Sequence, residues 1–168
     1  MKDLELTHLI IGAAIEIHRN LGPGLLESVY EECLAKEFSL RGIPYERQKP
    51  IPLIYKDLKL ECGYRLDFQV NKRVVVELKS VEAIAPIHES VMLTYLRLSR
   101  SPLGLLINFN VPMLKDGIRR YVWHYNEKDN AETQSSAEAR REEMSNPLDG
   151  NVRTESENLK DSDAAEKN

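Results

Sequence analysis

The chain has 168 residues, of which 42% are hydrophobic, and a formal net charge of −4. This length suits one domain of ordinary size, and no apolar run approaches the roughly 18 residues of a membrane span. Residues 1–125 hold 17 Lys and Arg against 15 Asp and Glu, whereas residues 126–168 hold 6 against 12. The first part is therefore mildly basic, which permits a nucleic-acid partner.

The first residues and the cysteines indicate a cellular location. Asp3, Glu5 and His8 interrupt the apolar residues of the N-terminus, so this segment is not typical of a signal peptide. Cys33 and Cys62 are the only cysteines and form no CxxC motif, which favours a reducing environment. We expect a cytoplasmic protein without membrane association, and the sequence leaves its oligomeric state open.

Two helices open the chain. Apolar residues recur at spacings of three and four over residues 4–20, which predicts a helix. The segment Gly22-Pro23-Gly24 ends it, and a second helix is predicted over about residues 25–40. The apolar side predicted for this second helix consists of Leu26, Val29, Tyr30, Cys33, Leu34 and Phe38.

Strands dominate the middle of the chain. Pro44, Pro50 and Pro52 confine the first strand to a sheet edge or to irregular segments, and the apolar run 103–109 is typical of a buried central strand. A helix precedes that run, so the strands on either side of it are expected to be parallel neighbours. The other predicted elements are strands at 51–55 and 58–62, a hairpin at 65–79, a helix at 87–99 and a last strand at 118–125.

The composition changes at residue 126. Residues 126–168 contain no aromatic side chain and are rich in Ser, Glu, Asp, Asn and Ala. Such a segment cannot bury enough apolar surface to offset the entropy of ordering it. We therefore predict one α/β domain over residues 1–125 and a disordered acidic tail over residues 126–168.

The hairpin at 65–79 has two chemically different faces. Leu66, Phe68 and Val70 alternate with polar residues, and strand side chains alternate between faces. Asp67 and Glu77 lie on the same polar face only if the loop has three residues, 71–73. A two-residue loop would turn Glu77 to the other face, so the apolar pattern favours the three-residue loop.

The polar face of this hairpin suggests a metal site. Asp67 and Glu77 repel each other when close, and Mg²⁺ relieves such a conflict because it binds a few carboxylate oxygens together with waters and phosphate. A bound metal can activate water, and Lys79 could position that water or neutralise a phosphate. The simpler alternative is a solvated sheet face with an ordinary salt bridge.

The spacing D-x(9)-E-x-K in a hairpin, with a helix before it and a helix and strand after it, resembles the PD-(D/E)XK nuclease superfamily. The stretch Gly24–Tyr30 fits the G-x-x-E-x-x-Y signature of the GxxExxY family within it. The other matching segments are His18 with Leu21-Gly22, Gln48–Ile51, Tyr64–Asp67, Val76–Lys79, His88 with Tyr95-Leu96, and Gly104–Phe109. The resemblance covers about residues 4–123 and implies a restriction-endonuclease-like mixed sheet flanked by helices.

The resemblance also implies roles for individual residues. Asp67 and Glu77 correspond to the metal-binding acids, Lys79 to the catalytic lysine, and Glu27 to the acid of the first core helix. The alternative for Glu27 is a first-turn glutamate that favours the helix dipole. The implied cofactor is Mg²⁺, with Mn²⁺ as a second candidate, and the implied partner is DNA or RNA.

Three further residues are candidates for the substrate side. His88 and Tyr95 are seven residues apart and share a helix face, and Tyr30 completes the signature stretch. Alternatively, His88 has no special role and the two tyrosines are packing residues. Val91 stands four residues before Tyr95, where such nucleases often carry a glutamine.

The departure at Val91 motivates a second hypothesis, in which the chain is a catalytically weak or inactive nuclease-fold module that binds nucleic acid or a protein partner. A third hypothesis is an interaction protein whose acidic tail contacts a basic partner.

Overall fold

A computed structural model describes residues 3–60 and 63–123. The helices are α1 (Asp3–Leu21), α2 (Glu27–Leu40) and α3 (Pro86–Ser99). The strands are β1 (Tyr45–Pro50), β2 (Leu53–Tyr55), β3 (Leu58–Leu60), β4 (Arg65–Val70), β5 (Val74–Lys79), β6 (Leu103–Asn108) and β7 (Ile118–Val122). The expected acidic tail over residues 126–168 and its boundary at residue 125 lie outside the described residues. None of the described helices is long and apolar enough to cross a membrane.

Five strands form one mixed sheet in the order β1-β4-β5-β6-β7. Strands β5 and β6 are parallel and connect through α3, as the crossover argument predicts, and the other neighbouring pairs are antiparallel. Strand β1 lies at an edge and ends at Pro50, so the edge prediction is confirmed. Every residue of β6 is buried, which confirms an interior strand. The chain therefore has the predicted mixed α/β fold.

Helices cover both faces of the sheet. Helices α1 and α2 pack on one face, where the buried cluster includes Leu6, Ile10, Tyr30, Phe38, Phe68 and Val76. Helix α3 packs on the opposite face, where Met92 and Leu96 join Val75 and Leu106. A side chain on Gly104 would bring its Cβ to 2.5 Å from the sulfur of Met92, so the glycine permits the close approach of α3.

The buried side of α2 differs from the apolar pattern of the sequence. Tyr30, Leu34 and Phe38 are buried, but Leu26 is 74% exposed and Val29 is also exposed. The prediction that Leu26 and Val29 share the buried side is therefore wrong. The helix begins at Glu27, so Leu26 belongs to the turn before it and does not follow the helical period.

The hairpin of β4 and β5 has the predicted register. Phe68 pairs with Val76, which leaves the three residues 71–73 as the loop and confirms that prediction. Leu66 packs with Val75 and Met92 on the face covered by α3, whereas Phe68 packs with Val76 on the other face. The prediction that Leu66 and Phe68 share one apolar face is thus wrong, and the alternation along β4 is interrupted at Asp67. Along β5 the side chains alternate, so Glu77 lies on the face covered by α3, where it is only 6% exposed. The alternative of a solvated sheet face is therefore wrong.

The loop of this hairpin explains why the register needs three residues. Asn71 and Lys72 both have left-handed backbone angles, with φ of 51° and 56°. The amide of Arg73 donates a hydrogen bond to the carbonyl of Val70 at 3.0 Å. Two left-handed residues in a tight turn match the twist of an antiparallel hairpin, and Arg73 is the additional residue that restores the alternation.

Strands β2 and β3 form a separate hairpin, residues 53–60, which we call the arm. Leu53 pairs with Leu60, as expected for a turn at Lys56-Asp57, and the arm pairs with no strand of the main sheet. At its base, the amide of Ile51 donates to the carbonyl of Tyr64 at 2.8 Å. Three large apolar side chains of the arm are exposed, namely Ile54, Tyr55 and Leu58.

Candidate metal centre

Asp67 is held at the point where the pairing of β4 with β5 ends. Its Oδ2 accepts a hydrogen bond from the backbone amide of Leu78 at 2.8 Å, so the side chain takes the place of a strand partner. Burial raises the pKa of this carboxyl group, although the bond from Leu78 acts in the opposite direction. Asp67 is thus fixed in orientation while its charge is only partly compensated.

Glu77 is the most deeply buried acid of the polar face. Its Oε1 accepts a hydrogen bond from the ammonium of Lys79 at 2.8 Å, whereas its Oε2 is buried and has no hydrogen-bond partner among the residues that the structure describes. Burial and the charge of Asp67 raise the pKa of Glu77 to about 7. A buried oxygen without a partner is destabilising, so a cation that binds this atom would relieve that cost.

Lys79 provides the positive charge of the site. Its Nζ donates to Glu77 Oε1 at 2.8 Å and to the carbonyl of Leu78 at 2.7 Å. It also lies 3.7 Å from Oε1 of Glu27. Burial opposes the charged form of Lys79, but the surrounding carboxylates outweigh it and raise the pKa of this lysine. The ammonium therefore stays protonated and touches the oxygens that surround it.

Glu27 is the first residue of α2, and hydrogen bonds in the preceding turn fix its backbone near Lys79. The hydroxyl of Tyr30 donates to the carbonyl of Gly22 at 2.7 Å and accepts from the amide of Leu25 at 3.2 Å. The hydroxyl of Ser80 donates to the carbonyl of Leu25 at 2.6 Å. Since Ser80 follows Lys79 in the chain, these bonds tie the start of α2 to the end of β5.

Glu31 and Gln48 also belong to the site, although the sequence did not assign them a role. Glu31 Oε1 accepts from Arg47 Nε at 2.6 Å and from Gln48 Nε2 at 2.8 Å, and Gln48 Nε2 lies 3.5 Å from Asp67 Oδ1. Gln48 has a φ of 49° within β1, a conformation that non-glycine residues rarely adopt. The available signal was the spacing of Glu31, four residues after Glu27 and therefore on the same helix face.

Tyr95 faces the acids from α3. Burial raises the pKa of its hydroxyl, and the charges of Glu77 and Asp67 raise it further. Its ring meets the ring of Tyr64 edge-on, with centroids 6.3 Å apart. Tyr95 is therefore a protonated hydrogen-bond donor beside the two carboxylates.

Tyr30 and His88 make backbone contacts. The ring of Tyr30 stacks on Phe109 with centroids 4.3 Å apart, and its hydroxyl lies in the turn before α2. Nδ1 of His88 accepts from the amide of Ala85 at 3.1 Å and so caps the start of α3. The structure thus brings Glu27, Asp67, Glu77, Lys79 and Tyr95 together, whereas substrate contacts by Tyr30 and His88 stay predictions.

The donor set suits a cation that needs few protein ligands. Within residues 3–60 and 63–123, no group of three or more His, Cys, Asp and Glu side chains is arranged to hold a metal. Two carboxylates, Asp67 and Glu77, and the carbonyl of Leu78 are nevertheless close to one ammonium, and Glu77 Oε2 has no partner. Mg²⁺ commonly binds through one or two carboxylates and keeps several waters, so these residues fit it.

Comparison with known proteins gives one match. A family model described as the PD-(D/E)XK nuclease superfamily matches residues 4–121. This range contains α2, α3, all of α1 except its first residue, and all of the five-stranded sheet except the last residue of β7. No curated protein and no solved structure matches significantly.

Proposed function

Because the chain belongs to the PD-(D/E)XK nuclease superfamily, we propose that it is a divalent-metal-dependent nuclease that hydrolyses phosphodiester bonds of DNA or RNA. The observation that carries the proposal is the oxygen Oε2 of Glu77, which is buried without a partner beside Asp67 and Lys79. Without a cation there, this buried oxygen would have no bonding partner among the described residues, which is destabilising.

Each residue of the site has a distinct role in this proposal. Asp67 and Glu77 would hold Mg²⁺, or Mn²⁺ in its place, with the carbonyl of Leu78 as a further oxygen donor. Such a cation, when bound, lowers the pKa of a coordinated water and stabilises negative charge on the phosphate. Lys79 neutralises the phosphate or orients the attacking water, and Tyr95 donates a hydrogen bond towards a phosphate oxygen.

We further assign the chain to the GxxExxY family, on the stretch Gly24–Tyr30. Gly24 has a φ of 93° in the turn, which favours glycine. Glu27 points to Lys79, and Tyr30 holds the turn through its hydroxyl. The glycine, the glutamate and the tyrosine of the signature thus each have a structural role at this site.

A second candidate function is a binding module without catalysis. Val91 favours it, because this residue lies one helical turn before Tyr95 and offers no polar group to a substrate. Such a module would bind nucleic acid or a protein without needing Glu77 or Lys79.

Cleavage assays with purified protein distinguish the two functions. We expect cleavage of DNA or RNA in the presence of Mg²⁺ or Mn²⁺, and loss of this activity in Asp67→Asn, since the cation loses a charged ligand. Glu37→Gln is the matched control, because Glu37 pairs only with Arg41 at the far end of α2. Cleavage that survives Asp67→Asn would reject the proposal. Nucleic-acid binding without any binding of Mg²⁺ at millimolar concentration would favour the binding module.

A further inference from the structure

The ammonium of Lys79 lies against oxygens that the proposed cation would use. It contacts Glu77 Oε1 at 2.8 Å and the carbonyl of Leu78 at 2.7 Å. Two positive groups on these oxygens repel each other strongly, because the site is buried and screening by water is weak. Binding of a divalent cation beside Glu77 therefore favours displacement of the ammonium.

Glu27 is positioned to receive the displaced ammonium. Its Oε1 lies 3.7 Å from Lys79 Nζ, so a shift of about 1 Å would form a charge-assisted hydrogen bond. An ammonium has three donors, and two of those of Lys79 are used by Glu77 and Leu78. The side chain of Glu27 is 45% exposed, which leaves it free to rotate towards Lys79, while the turn held by Tyr30 and Ser80 fixes its backbone.

The formal charges of the site agree with a movement of the ammonium of Lys79 from Glu77 to Glu27. Three carboxylates, those of Glu27, Asp67 and Glu77, surround the ammonium of Lys79, so a divalent cation would balance the formal charge. Glu31 is not among the carboxylates that raise the pKa of Lys79, and it pairs instead with Arg47, which also pairs with Glu32. The carboxylate of Glu27 is thus the one left to neutralise Lys79 once Asp67 and Glu77 hold the cation.

We propose that Glu27 is a positioning residue that receives the ammonium of Lys79 when a divalent cation takes its place beside Glu77. This inference rests on the metal site of the proposed function. Glu27 then acts on the cation only through Lys79, and the exchange leaves the lysine at the edge of the site, where a phosphate can reach it.

Calorimetric titration of the metal-free protein with Mg²⁺, without nucleic acid, tests this exchange. We expect Glu27→Gln to weaken Mg²⁺ binding by about fivefold or more, because the displaced ammonium loses its acceptor. Lys79→Met should tighten Mg²⁺ binding, since it removes the competing charge. In the Lys79→Met background, Glu27→Gln should change the affinity less than about twofold. Lys79→Gln, which is uncharged and keeps a donor, replaces Lys79→Met if the latter does not fold.

The outcomes separate this inference from the function on which it rests. Glu32→Gln is the charge control, because Glu32 lies on the same helix but is 69% exposed and pairs with Arg47; it should leave the affinity unchanged. An equal loss from Glu27→Gln in both backgrounds would mean that Glu27 acts directly on the cation. No tightening in Lys79→Met would place the lysine and the cation on different oxygens of Glu77. Either result overturns the exchange alone, whereas no Mg²⁺ binding by any variant overturns the metal site itself.

Discussion

Glu77 carries an electrostatic cost in the folded protein. Burial and the charge of Asp67 raise its pKa from 4.5 to about 7, so the folded state binds a proton more tightly than the unfolded chain does. For a raised carboxyl pKa, stability falls as the pH rises through this interval. The penalty is absent below pH 4.5 and complete above pH 7.

Glu77→Gln should therefore stabilise the metal-free protein at pH 8, by roughly 1–3 kcal/mol, because glutamine keeps an acceptor for Lys79 and removes the buried charge. Urea unfolding in the presence of a chelator measures this difference, which should disappear at pH 4. Added Mg²⁺ should stabilise the native protein and not the variant, since a ligand of the folded state shifts the equilibrium by mass action. A variant that is less stable than the native protein at pH 8 would contradict this account.

Local sequence pattern predicts some residues of the site and not others. The alternation along β4 and β5 is a local property, so it identified Asp67, Glu77 and Lys79 and the three-residue loop between the strands. It did not reveal that Leu66 packs on the α3 face, opposite Phe68. The contacts of Glu31 with Arg47 and Gln48 join different elements. The left-handed backbone of Gln48 is set by packing, because no glycine or turn motif marks it, and sequence pattern could not reveal it.

At the level of elements, the turn before α2 connects the helix to the sheet. Tyr30 satisfies two backbone groups of this turn with one hydroxyl, while Ser80 binds it from the end of β5. The apolar period predicts that α2 exists and buries one side, but it cannot show that a tyrosine hydroxyl holds the turn before the helix. For the same reason it predicted a helix that begins at Leu25, two residues before the observed start at Glu27.

Tyr30→Phe should lower the free energy of unfolding by about 1–2 kcal/mol, because the carbonyl of Gly22 and the amide of Leu25 lose a partner while the ring still stacks on Phe109. Cleavage in single-turnover assays should also slow, since Glu27 loses its fixed position. Tyr45→Phe is the control, because its hydroxyl bonds only to Ser39 at an exposed position, and it should cost about 0.5 kcal/mol or less. Equal losses in the two variants would show that the turn does not depend on Tyr30.

At the level of the whole molecule, the site requires the assembled layers. Glu27 belongs to α2, Asp67 and Glu77 to the sheet, and Tyr95 to α3, so these groups meet only after both faces of the sheet are covered. The order of elements and the crossover through α3 were predictable from the sequence, because segments with the apolar spacing of helices alternate with segments of strand length and pattern. The separate pairing of the arm was predictable as a hairpin, but its independence from the main sheet was not.

Replacing residues 53–60 with a short glycine-serine linker should change the free energy of unfolding by no more than about 1 kcal/mol, because the arm contributes no residue to either buried cluster. Urea unfolding measures this effect, and Phe68→Ala, which should cost several times more, provides the comparison. If exposed Ile54 and Tyr55 contact nucleic acid, the same replacement should weaken its binding. A large loss of stability would show that the arm supports the sheet.

The position of the arm shows where this fold can accept a different or longer segment of chain. Pro50 and Arg65 are register partners on β1 and β4, so the chain leaves the sheet and returns to it at the same point. A segment inserted between Pro50 and Arg65 would be anchored at two neighbouring residues of the sheet, and the pairing of β1 with β4 would stay intact. The carboxylates of Asp67 and Glu77 would keep their positions, so this segment can be replaced without moving the candidate metal centre.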